Sequence, residues 1–331
     1  MAISLFNRSN KTINLEINDH SIRYAELRPG KMPALHATGE FLLPPGIVKG
    51  GRIIEHETLK AILEECIGDW RIHRRTVRFI VPDQFVVMKK ITIDSEVNED
   101  ELEGYLYLQL GTSIHLPFEE PVFDTYILGE NEGQKEILLF AASEEIIKQQ
   151  QQLLASCKLS PAVADVSPLA SYRLLHYLDK VKEDEHFLLL QFDLYGVMIS
   201  IFFDHKPLYM RYVPISSEQD QWERELAGEG KYRWVLQGGE EAYFQQFEDT
   251  YKEIERVVAF YKYNMNNSLN EVTSIVLCGD HPFMQRIGRD LAERFPVKLQ
   301  IIDDHALSIL ADGEQVSSYY SVLGLGLRGV Q

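Results

Sequence analysis

Alternating apolar and polar residues mark two similar segments of this chain. Residues 12–27 alternate on both sides of Asn18-Asp19-His20, a favourable turn sequence, and therefore predict a β-hairpin. Residues 187–203 repeat this plan at an offset of 175 residues. Two similar hairpins indicate a duplicated fold.

Hydrophobic periodicity elsewhere predicts alternating helices and strands. Residues 39–51 are rich in Pro and Gly and predict a connection, whereas 216–241 are polar and predict loops with one short helix. Helices are expected over 57–67, 98–116, 144–157, 244–265, 284–294 and 319–329 and near Pro168, and strands over 77–81, 85–93, 122–128, 137–142, 163–166, 208–213, 272–278 and 297–302.

Charge divides the chain near Thr92. The 331 residues carry a net charge of −17, but residues 1–92 carry +4 and residues 93–147 carry −13, from fourteen acids and one base. A boundary is expected where the sign changes, and the acidic piece should face solvent or a basic partner. Nucleic acid is not an expected partner, because the basic residues of 71–78 form only a short patch.

The cysteines and the amino terminus indicate a cytoplasmic protein. Cys66, Cys157 and Cys278 lie far apart among apolar residues and are expected to be buried thiols in a reducing compartment. Residues 1–11 lack the apolar region and cleavage site of a signal peptide, and no stretch is apolar enough to span a bilayer. Direct membrane insertion is therefore not expected.

Familiar catalytic and metal-binding motifs are absent from the sequence. It contains no GxSxG, HExxH, P-loop or GxGxxG pattern, and its ten histidines are scattered. His20, His281 and His305 each lie next to or near an aspartate, but histidines in turns are interpreted as surface residues. No metal site is expected.

Five segments, taken in order, resemble the PilM family. They are the hairpin of 12–27, the acidic ELEGYLYLQLGTSIHLPFEEPVFDTYIL, the segment HKPLYMRYVPI after the repeated hairpin, the strand ending LCGD, and the C-terminal SVLGLGLRG. PilM proteins are FtsA/actin-like proteins of type IV pilus assembly. The resemblance implies an α/β, actin/Hsp70-like two-lobed fold of duplicated ribonuclease-H-like domains, with an FtsA-like inserted α+β subdomain in the first lobe.

This resemblance also implies a division of the chain. We expect the first lobe over 1–92 and 148–185, the acidic inserted subdomain over 93–147, the second lobe over 186–309 with a smaller subdomain at 217–270, and a C-terminal helix over 310–331 that returns to the first lobe.

The nucleotide site implied by the resemblance is degenerate. Actin-like ATPases carry Asp-x-Gly in each hairpin turn, where aspartate organises magnesium and glycine admits phosphate. Here three acids, Asp19, Asp193 and Asp280, would lie where polyphosphate should sit, and one such like-charge contact costs about 4 kcal/mol at ~4 Å. Magnesium would offset part of this cost without restoring the glycines, so loss of ATP hydrolysis is expected. Each of the three acids has a simpler interpretation as a solvated turn residue. The degenerate positions are Glu16, Asn18, Asp19, Arg23, Gln191, Asp193, Gly279 and Asp280.

The preferred hypothesis is a non-catalytic cytoplasmic scaffold of a type IV pilus-like machine. By resemblance it would bind the cytosolic N-terminal segment of a PilN-like bitopic membrane protein, which would recruit it to the inner face of the membrane; other pilus assembly proteins are further candidate partners. The expected peptide groove comprises Leu106, Leu110, Ile114, Leu116 and Phe118, although the same residues would equally form the insert's own core.

Two alternatives stay open. The first is an active ATPase switch in the same machine, with ATP and Mg²⁺ as cofactors. The second is an FtsA-like cell-division or polymerising protein, which should carry an amphipathic tail. The sequence stops at Gln331 directly after its last predicted helix, which disfavours the second alternative.

Overall fold

Each predicted hairpin lies in the middle of a five-stranded sheet. The first consists of β1 (Thr12–Ile17) and β2 (Ser21–Arg28), and the second of β11 (Phe187–Phe192) and β12 (Gly196–Phe203). They belong to a computed structural model that describes residues 12–28, 30, 33–131, 133–215, 221–228, 231–265, 270–311 and 316–329. The predicted lack of a signal peptide concerns residues 1–11, which lie outside the described residues.

The two sheets have the same topology. The first has the order β3-β2-β1-β6-β10, in which β3 (Ala34–Leu42), β6 (Thr76–Ile80) and β10 (Ser160–Asp165) join the hairpin. In the second sheet, β13 (Lys206–Pro214), β16 (Ser274–Gly279) and β17 (Lys298–Ile301) join the hairpin in the order β13-β12-β11-β16-β17. In both, the first three strands are antiparallel and the last two are parallel to the central strand. The predicted duplication and two-lobed α/β fold are therefore confirmed.

Helices cover these sheets and bury their central strands. Every residue of β11 is buried, as expected for a strand covered on both faces. The covering helices are α1 (His56–Trp70), α3 (Glu144–Ser156), α4 (Ser167–Tyr177), α5 (Glu240–Phe260), α6 (Met284–Arg294), α7 (Asp304–Ala311) and α8 (Tyr320–Gly326). Two short strands, β4 (Val48–Lys49) and β5 (Arg52–Ile53), precede α1. One core joins the first sheet to α1 and α3, a second joins the other sheet to α5 and α6, and a third lies around α4, α7 and α8.

A third sheet forms the insert. It contains β7 (Val86–Asp94), β8 (Pro121–Asn131) and β9 (Gln134–Ser143) in the antiparallel order β7-β9-β8, and α2 (Leu102–Gln109) packs on it. The expected boundary at 92 lies within β7, and that at 147 lies within α3. A change of charge marks the surface composition of a subdomain and not the residue where a strand begins.

The helix of the insert is shorter than predicted. We expected it to start at Asn98 and to continue to Leu116, but α2 covers only 102–109. Its end follows from Leu110, which is extended, and from Gly111, whose φ of +78° is left-handed. The predicted cap is also wrong, because the Asn98 side chain bonds to the Glu101 carboxylate at 3.2 Å and not to a helix N–H.

The prediction of loops over 216–241 is wrong for 222–228 and 231–236, and its residues 216–220 and 229–230 lie outside the described residues. Strands β14 (Trp222–Gly228) and β15 (Lys231–Leu236) form a hairpin there. Its charged positions hide the alternation, and tertiary contacts hold it: Trp222 is buried in the second-lobe core, and Arg224 donates to the carbonyl oxygen of Leu42 at 2.6 Å.

All three cysteines are buried free thiols, as predicted. Among the described residues, no helix combines the length and apolar character needed to span a membrane.

Candidate functional site

The two hairpin turns have matching geometry. Ile17 pairs with Ile22 in the first, and Phe192 pairs with Val197 in the second, so four residues separate the paired positions in both hairpins. The residue after the first strand caps each turn: Asn18 accepts the backbone N–H of Ser21 at 2.8 Å. In the second turn Asp193 accepts the backbone N–H of Tyr195 at 2.6 Å. The alignment at an offset of 175 residues is thus present in the structure.

A small cavity separates the two turns at the interface between the lobes. Its volume is about 40 Å³. A water molecule occupies about 30 Å³ in the liquid, whereas small-molecule sites measure roughly 300–1,000 Å³. This cavity therefore has room for a few waters and is far smaller than a small-molecule site. Its lining includes seven of the eight predicted nucleotide-site residues, namely Glu16, Asn18, Asp19, Arg23, Gln191, Asp193 and Asp280.

An ionic cluster crosses from one lobe to the other beside this cavity. Asp280, which follows β16, accepts Arg23 at 2.6 Å and His20 at 2.5 Å through the same carboxylate oxygen. Arg23 also donates to Glu40 of β3 at 2.6 Å. The side chains of His20, Arg23 and Asp280 are 5% exposed or less. The interpretations of His20 as a surface residue and of Asp280 as a solvated turn residue are therefore wrong.

The cluster controls the ionisation of its members. Burial acts to raise the pKa of Asp280, but Arg23 and His20 outweigh burial and hold that pKa well below its ordinary value. Burial acts to lower the pKa of His20, and Asp280 reverses this and raises it. The cluster is thus a buried ion pair between lobes, with Asp280 as its anion.

Asp19 is held within the first lobe. Its two carboxylate oxygens accept the backbone N–H groups of Gly50 and Gly51 at 2.5 and 2.7 Å. Burial raises the pKa of Asp19 despite these bonds. Consecutive backbone N–H groups of this kind are suited to holding phosphate, but here an internal carboxylate occupies them.

A chain of hydrogen bonds joins the lobes on the opposite side of the cavity. Ser167 of α4 donates to both oxygens of Asp83 at 2.7 and 2.8 Å, and Gln191 of the second lobe donates to Ser171 at 3.0 Å and to Ser167 at 3.3 Å. Burial, with smaller contributions from Glu16 and Asp193, raises the pKa of Asp83 to about 8.

Asp193 and Glu16 follow the same trend. Burial raises the pKa of Asp193 to about 7, and burial also raises the pKa of Glu16. Partial protonation of Asp83 and Asp193 near neutral pH therefore relieves part of the repulsion among these carboxyl groups.

Gly279 serves a close backbone approach. Its φ is +142°, and a Cβ built on it would lie 1.9 Å from the carbonyl oxygen of Phe192. The following residue, Asp280, donates its N–H to that same oxygen at 3.0 Å. The glycine therefore seats the end of β16 against β11 and directs Asp280 towards the first lobe.

ATP and Mg²⁺, which the fold family implies, do not fit these residues. The cavity is too small for a triphosphate, and Asp19 and Asp280 already take the backbone N–H groups and the arginine that would bind phosphate. The carboxylates of Asp19 and Asp83 bind protein donors, and no three potential ligands converge on one point within the described ranges. No chemical step can be assigned to a nucleotide here.

The predicted peptide groove is divided between core and surface. Leu106 and Ile114 are buried in the insert's own core, so they offer no groove surface in this structure. Leu110, Leu116 and Phe118 are partly exposed. The helical spacing in the sequence did not separate the buried from the exposed positions, because the helix ends at Gln109 and the chain then turns, with Leu110 and Ile114 forming a β-bridge.

Sequence reasoning missed several residues of the cleft. His281, interpreted as a surface residue, is buried and bonds to Tyr243 at 2.8 Å, and burial lowers its pKa to about 3. His305 is exposed as predicted. Asp83 and Tyr212 also line the cavity. The Pro82-Asp83 break after a strand was a visible signal for Asp83, whereas nothing local marked Tyr212.

Known proteins provide the family context. A family model described as type IV pilus assembly protein PilM matches residues 14–221. A solved chain titled as the PilM-PilN type IV pilus biogenesis complex is similar over 98% of this chain and 99% of that chain, with 20% identity and a TM-score of 0.78. This likeness shows that the two chains share a fold.

Two more distant structures were also found. The ethanolamine utilization protein EutJ from Carboxydothermus hydrogenoformans has 10% identity and a TM-score of 0.49, with 96% of this chain and 89% of that chain covered. A Bacteroides thetaiotaomicron protein of actin-like ATPase fold has 11% identity and a TM-score of 0.48, with 96% and 98% covered. The PilM model, by contrast, matches more than half of the sequence, and this chain therefore belongs to the PilM family of type IV pilus assembly proteins.

Proposed function

We propose that this protein is a non-catalytic cytoplasmic scaffold of a type IV pilus assembly machine. It binds the cytosolic N-terminal segment of a PilN-like membrane protein, which holds it at the inner face of the membrane. Family membership and the likeness to a PilM chain solved with PilN support this proposal. The observation that carries it is the acidic, partly apolar surface of the insert.

The insert's negative charge is largely uncompensated. Of the fourteen acids between 93 and 147, the described side-chain ion pairs engage Glu136, Glu144 and Glu145. Lys135, the one base, donates to two backbone carbonyl oxygens of the insert at 2.8 and 2.7 Å. A field of one sign attracts segments of the opposite sign. Short cytosolic segments beside a transmembrane helix are usually rich in Lys and Arg.

Apolar side chains lie within this acidic surface. Leu108 is 78% exposed and Tyr107 is 49% exposed, both on α2. Contiguous exposed apolar patches mark interaction sites, and Tyr107 and Leu108 are adjacent exposed apolar residues. We define the insert surface as Tyr107, Leu108, Leu110, Leu116 and Phe118, of which the last three belong to the predicted groove. Acidic charge would speed association, and the apolar side chains would give specificity.

The experiment measures binding of a labelled peptide that carries the N-terminal segment of the PilN-like protein from the same organism. Fluorescence anisotropy is recorded at 50 and 500 mM salt for the wild type, Leu108→Asp and the control Leu226→Asp. Leu226 is 65% exposed, but it lies on the β14–β15 hairpin of the other lobe.

We expect higher salt to weaken binding of the peptide. Leu108→Asp should weaken it at least tenfold, because it adds a charge to the apolar contact, and Leu226→Asp should leave it unchanged. Equal binding by all three proteins at both salt concentrations would contradict the proposal.

The cleft supports the non-catalytic part of the proposal. An ATPase needs a cavity that admits the triphosphate and free groups that stabilise its charge. The 40 Å³ cavity and the engagement of Arg23 by Asp280 supply neither. No observation favours the ATPase or the polymerising alternative.

A further inference from the structure

We propose that Asp280 is a resident anion of the cleft, which binds Arg23 and His20 in place of an anionic ligand and thereby ties the two lobes together. The inference does not depend on the insert surface or its partner. It concerns how the lobes stay closed in an actin-like fold whose site does not accept a nucleotide.

The geometry of Asp280 resembles that of a bound anion. Arg23 and His20, both in the first lobe, donate to one of its oxygens at 2.6 and 2.5 Å. Charge-assisted bonds of this length are among the strong ones in proteins. The carboxylate reaches them from the second lobe, so separating the lobes must break both bonds.

The backbone fixes this carboxylate in place. The N–H of Asp280 donates to Phe192, and Gly279 permits the approach of the two strands. The other carboxylate oxygen of Asp280 is buried and has no partner among the described residues. The backbone of Asp280 is thus held by its own lobe, whereas its carboxylate is engaged by Arg23 and His20 of the first lobe through one shared oxygen.

Arg23 and Asp280 also form a wall between two spaces. The inner cavity of about 40 Å³ contains the hairpin turns, and an outer cavity of about 540 Å³ lies against Trp222, Trp234 and Phe283. Arg23 and Asp280 are the residues that both linings share. A ligand that reached from the outer cavity to the turns would have to break this pair.

Removal of the anion should expose the cations beneath it. In Asp280→Asn, the side chain keeps its size, but Arg23 and His20 lose their buried counter-charge, although Glu40 still contacts Arg23. Breaking a buried pair by removing one partner is strongly destabilising. For a chain of this length the thermal midpoint should fall by about 4 to 7 °C.

The probe is inorganic pyrophosphate without metal, added at 10 mM in a thermal unfolding scan. It can approach Arg23 from the outer cavity of about 540 Å³ without entering the inner one. We expect it to raise the midpoint of Asp280→Asn by several degrees and to leave the wild type unchanged, since an anion that binds only the folded state stabilises it. The control is Asp290→Asn. Asp290 belongs to the same lobe, and its carboxylate lies 4.0 Å from the guanidinium of Arg286. This control should show no response.

A second variant tests the location of the bound anion. The double change Arg23→Met with Asp280→Leu removes both charges, so it should fold and should not respond to pyrophosphate. Asp280→Asn with wild-type stability would overturn the proposal, as would equal responses of the wild type and Asp280→Asn. If Asp280→Asn does not fold in plain buffer, refolding with pyrophosphate must recover it; failure to recover also overturns the proposal.

Discussion

Gly279→Ala is the substitution whose effect the structure defines most sharply. The new Cβ would lie 1.9 Å from the carbonyl oxygen of Phe192, so the strands must separate by well over an ångström to reach ordinary contact. The φ of +142° is itself unfavourable for alanine. Backbone strain of this kind costs about 1 to 3 kcal/mol and overpacking about as much again, so we expect a loss of about 2 to 6 kcal/mol in the free energy of unfolding.

Urea unfolding followed by circular dichroism measures this loss. The control is Gly68→Ala in α1, where no heavy atom lies within 4 Å of the new Cβ. The free energy of unfolding of Gly68→Ala should rise by about 0.5 to 1 kcal/mol, because alanine favours a helix and lowers the conformational entropy of the unfolded chain. A loss below about 1 kcal/mol in Gly279→Ala would refute the close approach and, with it, the described route by which Asp280 reaches the first lobe.

Two further predictions concern the cleft. Millimolar MgATP or MgADP should not change the thermal midpoint of the wild type. A ligand that bound at 100 times its dissociation constant would add about 2.7 kcal/mol to the free energy of unfolding, so a clear rise in the midpoint would favour the ATPase alternative. Asp83 has a folded-state pKa of about 8, above its unfolded value, so the wild type loses stability from this group as the pH rises from about 4 to 8. Asp83→Asn should remove that loss. Between pH 5 and pH 8, the free energy of unfolding of the wild type should therefore fall by on the order of 2 kcal/mol more than that of the variant. The size follows because one pKa unit corresponds to about 1.4 kcal/mol and partial exposure screens the group. If urea unfolding gives the wild type and Asp83→Asn the same change in free energy of unfolding between pH 5 and pH 8, this prediction is contradicted.

Local patterns in the sequence were sufficient for the repeated framework. Alternation predicted both hairpins, and the offset of 175 residues matched their registers. The change of charge near Thr92 indicated the acidic insert, although β7 runs across the boundary. These features depend on neighbouring residues, so a pattern of period two or a run of acids records them directly.

The hairpin at 222–236 shows where this reasoning ends. Its strands carry charged residues on the exposed face, and their stability depends on Trp222 in the second-lobe core and on Arg224 at the edge of the first lobe. Strand preference depends on such packing partners, which the local sequence does not contain. A polar segment was therefore predicted as loops although its tertiary contacts make it a sheet.

The amino-acid sequence by itself determined the duplicated α/β framework, the acidic insert and the departure of the hairpin turns from a nucleotide-binding pattern. Only the tertiary structure decided what the acids of those turns do. His20 and Asp280 are separated by 260 residues, and their 2.5 Å contact exists because the two sheets bring both turns to one cleft. Burial then converts a pair of polar turn residues into an ion pair, because a charge removed from water must find a partner.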